Sequence, residues 1–506
     1  MNNQYDVIVV GAGNGGLVAA ANTAKAGLKT LLLEKHNIPG GSATSFRRGR
    51  IEFEPSLHEL ASVGTAEKPD SVYKVFDDLG AKIDWMYERN MFRAIVKGKN
   101  GYDVTLKAGI EEFCDSIESY VPSSRKSVKA LLDLIPKINA AIDYVYKTKG
   151  NPNPLVMITK HADFMRVAGH SVEEVMTALG IPKKAQNIIN TYWGYLGVPT
   201  DELNAMHFLS MLNSYVVDGA AMPHHRSHEL SLALIDVIEK NGGEVRFNSE
   251  VTRFLYSDDG AVIGVEAKGQ QIFAKEVISN VIPHNVFNMS EQDKIPERQR
   301  KLANAREFGI SVATVYLGLD CTAEELGFSD YTIFIEGDAY PRKQYDNRAT
   351  DGLYIVNCLN NVVPDSSPEG TCTLFFTIPI FGNDLPEDLT PEGYKKYKNS
   401  IAEKYIKDAE QLLGISIMPH IEEICVTTPV TFAHYLGTPE GTIYGYKLSG
   451  WDNLLARTAS ESQDYSIPGL SFCGGHYIRG DGYSCAYLMG DMIGKRVANK
   501  LKGGNK

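Results

Sequence analysis

The seven cysteines of this chain, Cys114, Cys321, Cys358, Cys372, Cys425, Cys473 and Cys485, include no Cys-x-x-Cys pair. An odd count with no basic, apolar leader ahead of it predicts reduced thiols in a cytoplasmic setting and argues against a disulfide framework or a metal site. The chain is also short of positive charge: 51 lysines and arginines against 62 acidic residues leave a net charge of -11. Binding a phosphate backbone needs clustered cations, so nucleic acid is excluded as a partner. No uninterrupted apolar run approaches the ~18 residues of a membrane-spanning helix. The expectation is a soluble protein, with a peripheral touch on a membrane surface left open. Gly-x-Ser-x-Gly elbows, P-loops and His-Glu-x-x-His pairs are missing too, and with them the hydrolase, nucleotide-hydrolase and zinc-peptidase chemistries those motifs serve.

What is present is enough apolar material for more than one core. A chain of 506 residues with 43% hydrophobic content exceeds what a single core normally serves, which predicts two interleaved domains. Tyr5 to Val10 reads as a short buried strand and runs at once into Gly11-Ala12-Gly13-Asn14-Gly15-Gly16, then into an alanine-rich helix ending near Gly27. Each glycine has a mechanical task. Gly11 makes the tight turn, Gly13 lets the backbone approach a pyrophosphate, and Gly16 lets helix and strand pack closely. The helix N-terminus then receives the phosphates. A second strand, Lys29 to Leu33, ends in Glu34 at about the ~20-residue offset where a carboxylate meets a ribose hydroxyl, with Lys35 beside it as a further cofactor contact. Glu34 disfavours a 2′-phosphate there by charge repulsion.

Beyond Glu34 the chain reads Pro39-Gly40-Gly41-Ser42-Ala43-Thr44 and then Glu52-Phe53-Glu54-Pro55-Ser56-Leu57-His58. With these residues the sequence resembles the phytoene desaturase, carotenoid isomerase and retinol saturase family of flavoproteins, in the flavin amine oxidase-like superfamily. Three later stretches agree in order: the meander that opens at Val251, the run Gly441-Thr442-Ile443-Tyr444-Gly445, and Gly474-Gly475 followed by Gly480-Asp481-Gly482-Tyr483. The resemblance implies an α/β fold: a Rossmann-like FAD-binding domain of the glutathione-reductase type with an interleaved α+β substrate domain. FAD-binding segments are expected over 1–85, 216–295 and 451–506, a helical part of the substrate domain over 86–215, and its sheet part over 296–450. It also implies FAD as cofactor, held by Gly41, Ser42 and Ala43 in the turn, by Val251 near adenine, and by Gly474, Gly475, Gly482 and the backbone of Tyr483 around the flavin.

No second Gly-x-Gly-x-x-Gly with strand and helix context exists, so electrons must be exchanged through one flavin site with a separate donor or acceptor. Saturation, desaturation and double-bond isomerisation of an apolar, unsaturated substrate all remain open. An amine oxidase and a non-catalytic FAD-containing lipid-binding protein are the rival readings. The residues Pro223-His224-His225-Arg226-Ser227-His228 stand where the family usually carries a proline followed by paired glycines. Cationic side chains there hint at a substrate carboxylate, phenol or carbonyl. Flavin hydride chemistry needs a proton donor or acceptor near the neighbouring carbon. The candidates are His58, Arg226, His476 and Tyr477.

Overall fold

The computed structural model describes residues 4–503 apart from 66, 89, 100, 149–150, 388, 449, 461–466 and 481. Asp481 of the late glycine turn thus lies outside the described residues. Two seven-stranded sheets organise the chain. In the first, Gln4–Val10 lies parallel between Thr30–Leu33 and Gln270–Ser279, with Val10 opposite Leu33 on one side and Ser279 on the other. Strands buried on both faces read as continuous apolar runs, which is why Val7 to Val10 show no alternation. Glu244–Arg246 extends this sheet at one edge, Leu470–Phe472 pairs with Gln270–Ser279, and the antiparallel strands Val251–Tyr256 and Val262–Ala267 complete it.

The helix Asn14–Lys25 packs along the C-terminal helix Tyr483–Leu501, so the two ends of the chain interlock. Small residues permit this. A Cβ on Gly490 would lie 2.3 Å from the Gly15 carbonyl oxygen, and one on Gly16 only 2.0 Å from the Gly11 carbonyl oxygen. Either contact is far inside van der Waals distance, so a larger residue at Gly490 would push the two helices apart and one at Gly16 would push the first helix off the turn that precedes it.

The second sheet pairs Val312–Leu319 with Cys372–Pro379 over eight register positions, and every residue of both strands is buried. One face is covered by the helix Pro391–Leu413, started by the Thr390 hydroxyl accepting the Gly393 N–H. The other face meets helices from residues 110–218 through Phe334, Leu353 and Ile355. Residues 90–107, which the helical patterning assigned to that layer, are instead the edge strands Asn90–Val96 and Asp103–Lys107. The first of them pairs in parallel with Thr332–Glu336, opposite Arg93 and Ala94, a partner too distant in sequence to register as periodicity. The helix Arg226–Lys240 follows the short strand Ala221–Pro223.

Candidate functional site

A continuous cavity of about 930 Å³ runs past the C-terminal ends of the first sheet's strands and on between the second sheet and the helical layer. Leu33, Glu34, Lys35 and Val251 line one end of it, and Gly11, Gly13, Asn14, Gly15, Gly41 and Ser42 lie along its course with Gly475, Gly482 and Tyr483. The Glu34 carboxylate is fixed at the end of its strand: one oxygen accepts the Ala12 N–H at 2.7 Å and the other the His36 N–H at 2.8 Å. Asn280 also faces the cavity, and its amide oxygen accepts the Gly16 N–H at 3.2 Å. The side-chain oxygen of Asn14 is buried with no hydrogen-bond partner among the described residues.

Four residues assigned to cofactor contact stand behind this wall rather than on it. Ala12 holds Glu34 and Gly16 spaces helix from strand. The Ala43 carbonyl accepts from the Ser231 hydroxyl at 3.2 Å, and Gly474 touches the backbone approach to Gly15. Tyr483 contributes more than its backbone. Its hydroxyl donates to the Ser42 carbonyl at 2.9 Å and lies 2.9 Å from the Ser56 hydroxyl, which ties the turn after Glu34, the loop after Phe53 and the last helix together.

The far end of the cavity is walled by both sheets and the helical layer, with Tyr195, Ile355 and Thr377 among its lining. His58 lies there with its Nε2 2.7 Å from the Thr377 hydroxyl, and burial holds its pKa down to about 3. His476 is likewise pushed down to about 3 by burial and then by the nearby Arg306 and Arg457, and its Nε2 has no hydrogen-bond partner among the described residues. Both rings are therefore neutral at physiological pH. They can donate or accept a hydrogen bond but carry no spare proton.

Arg226 and Tyr477 are not at the cavity. The Arg226 guanidinium lies 3.0 Å from the Glu52 carboxylate and donates to the Ser366 carbonyl at 2.8 Å, so its charge is spent on a structural tie. His224 is bound between Asp84 and Asp365 at 2.9 and 2.8 Å, on the side away from the cavity lining. The cluster that suggested a cationic substrate subsite is thus an ion-paired start to the helix Arg226–Lys240. Tyr477 packs its ring near Phe472 between the cores.

Two acidic residues beside the site were not singled out from sequence. Glu54, 3% exposed, accepts the N–H groups of Ser227 at 2.8 Å, Leu57 at 2.9 Å and Ser56 at 3.2 Å, plus the Ser227 hydroxyl at 2.8 Å. Burial raises its carboxyl above the usual range, and those hydrogen bonds work against that rise. Glu59, 5% exposed, lines the cavity and accepts the Tyr195 hydroxyl at 2.5 Å. The only sequence signal for Glu59 was its place next to His58.

Residues 9–79 match the family of NAD(P)-binding Rossmann-like domains. Among characterised proteins, the chain is 26% identical to an all-trans-retinol 13,14-reductase of Danio rerio, over 87% of this chain and 77% of that protein. It is 23% identical to a chloroplastic prolycopene isomerase of Daucus carota, over 99% of this chain and 81% of that one. Among solved structures, an oxidoreductase from Methanosarcina mazei superposes with a TM-score of 0.68 at 16% identity, covering 97% of this chain and 100% of the other. That last likeness shows a shared fold. Along most of its length, with the Rossmann-like unit at its start, the chain is thus similar to the all-trans-retinol 13,14-reductases and the prolycopene isomerases.

Proposed function

We propose that this protein is an FAD-dependent oxidoreductase acting on a carbon–carbon double bond of an apolar, unsaturated small molecule. The observation that carries the reading is the continuity of the cavity from a dinucleotide cradle at Gly13, Glu34 and Val251 to a chamber between the second sheet and the helical layer. The residues present fit FAD. Each Glu34 oxygen already accepts one N–H and has lone pairs left for ribose hydroxyls. Gly13 and the start of the helix Asn14–Lys25 bring backbone N–H groups to the pyrophosphate position. Gly482 starts the last helix at the other side of the cofactor path, aiming its first N–H groups toward the flavin ring.

When bound, FAD supplies hydride transfer to or from one carbon of the substrate. The chain does the rest. The chamber walls exclude water and hold the alkene, while His58 and His476 present neutral rings that orient it. Electrons enter or leave through a separate donor or acceptor. Leu155, Ile158 and Met165, 68%, 65% and 53% exposed beside Lys160 and Arg166, offer an apolar and basic face suited to peripheral contact with a membrane holding such a substrate.

The test is optical. The purified protein, reconstituted with FAD, is reduced anaerobically and mixed with panels of polyenes, enones and unsaturated carboxylic acids. Reoxidation of the flavin band by one class marks a saturase and names its substrate type. Rearranged product with the flavin still reduced marks an isomerase. A protein that never acquires a flavin band overturns the reading.

A further inference from the structure

Glu59 and Glu88 flank one strand. Leu60 pairs with Ala221, and its N–H donates to the Ala221 carbonyl at 3.0 Å, while the Glu88 N–H donates to the Ala220 carbonyl at 3.0 Å from the other side. Glu59 is thereby carried into the wall of the chamber with Glu88 in the neighbouring segment, and neither has an ion-pair partner among the described residues. One oxygen of Glu59 and both of Glu88 are buried without a hydrogen-bond partner among the described residues. The groups facing Glu59 are tyrosines: Tyr195 donates to it at 2.5 Å, the Tyr192 hydroxyl adjoins it, and Tyr215 donates to its backbone carbonyl at 3.4 Å. The Tyr331 hydroxyl donates to the His58 carbonyl next to it. Tyr192, Tyr195 and Tyr215 also stack on one another, with ring centroids 4.8–6.0 Å apart.

An ionised carboxylate in such a place would face phenols and a second acid with no compensating cation among these neighbours. Two carboxyls that close disfavour double ionisation. Burial raises Glu59 to about 8, and Glu88 rises through burial and then through the charge of Glu59. At neutral pH the cluster holds a proton.

We propose that Glu59 and Tyr195 together are the proton donor of the reaction: Tyr195 protonates the substrate carbon next to the one that exchanges hydride, and Glu59 restores the Tyr195 proton. This rests on the functional reading above. In the reducing direction, a hydride from the reduced flavin forms a C–H bond at one alkene carbon. The π pair moves to the neighbouring carbon and forms a bond to the proton of the Tyr195 hydroxyl. The phenolate so left takes the proton of Glu59, and the Glu59 carboxylate regains one from solvent. Two electrons and one proton come from the reduced cofactor and one proton from the chain, which balances saturation of the double bond. Burial holds all three histidines that line the cavity, His58, His207 and His476, in the neutral form, so none competes for the role.

The test uses the full chain carrying FAD and has two arms. Infrared difference spectra are taken between about pH 6 and about pH 10 for the wild type, Glu59→Gln and Tyr195→Phe. The wild type should show a neutral carboxyl band that disappears as pH rises through about 8. Glu336 contributes to the same band, so the Glu59 component is read as the part lost in Glu59→Gln, and it should be present with a displaced midpoint in Tyr195→Phe, which keeps the ring and removes only the hydroxyl. A wild-type spectrum from which Glu59→Gln removes nothing overturns the proposal, with no substrate involved. In the second arm, an alkene that reoxidises the reduced protein is supplied in D2O. Tyr195→Phe should slow reoxidation by about 10²–10⁴-fold without weakening substrate binding. Deuterium should appear on the vicinal carbon, and Tyr195→Phe turning over at the wild-type rate would overturn the assignment. If no alkene reoxidises or is rearranged by any form, the functional reading fails instead, and the infrared arm still decides where the proton resides.

Discussion

Replacing Glu54 with alanine should loosen the loop that carries Ser56, His58 and Glu59 into the cavity. The carboxylate joins that loop to the first turn of the helix Arg226–Lys240 by accepting three backbone N–H groups and one hydroxyl. Alanine leaves the three N–H groups without partners, each costing about 1–3 kcal/mol when buried. The Ser227 hydroxyl can turn elsewhere, and loss of the buried carboxyl relieves its own desolvation. The net destabilisation is about 3 kcal/mol. With an unfolding entropy of about 2.1 cal/mol/K per residue, a cooperative unit of all 506 residues would lose about 3 °C in melting temperature, and a unit of half that size about 6 °C. Glu54→Gln keeps one acceptor oxygen and should lose about half as much. Scanning fluorimetry of the three proteins reads this directly, and flavin fluorescence on the same samples reports whether the cofactor is released at the lower temperature. A Glu54→Ala protein melting within about 1 °C of the wild type would refute the reasoning, because it would mean that water or backbone relaxation satisfies all three donors.

Stability should fall as pH rises. Glu336, buried against Thr191 and Gln344, is raised by burial to about 8, so between the unfolded carboxyl range and pH 8 the folded chain binds a proton that the unfolded chain has released. Each such group costs about 1.4 kcal/mol per pH unit over that window, and Glu336→Gln should make the decline in melting temperature from acid to pH 8 shallower. Gly16→Ala should yield protein with little bound flavin after reconstitution, seen as a loss of visible absorbance relative to protein. The added methyl meets the Gly11 carbonyl at the first βα turn. Leu155→Ser with Ile158→Ser should cut co-sedimentation with anionic vesicles by tenfold or more and leave flavin content unchanged, since burying each apolar side chain contributes about 1.5–3 kcal/mol.

The parts of the fold legible in sequence were those written in neighbouring residues. The first βα unit is read from Gly11, Gly13 and Gly16 because turn, phosphate approach and helix contact all fall within six positions. The start of the helix Pro391–Leu413 is equally local, since Thr390 caps it and Pro391 fixes its first turn. What escaped depends on distant partners. The strand Asn90–Val96 owes its conformation to Thr332–Glu336, and Arg226 is neutralised by Glu52 and Ser366, contacts that no local pattern encodes. Glu59 was passed over for the same reason. Its chemistry comes from burial among Tyr192, Tyr195 and Tyr215, more than a hundred residues further on.

The interlocking of the first and last helices also fixes a time order. During synthesis the nucleotide cradle is begun near residues 4–42, yet Gly475, Gly482 and the helix Tyr483–Leu501 that back it emerge from the ribosome only after the whole second sheet has been made. Until they dock, Gly15 and the alanines behind it are exposed apolar and backbone surface. The nascent chain must therefore wait, with an unfinished cofactor site, for the helix Tyr483–Leu501, and removal of that helix would disable the distant turn at Gly11–Gly16.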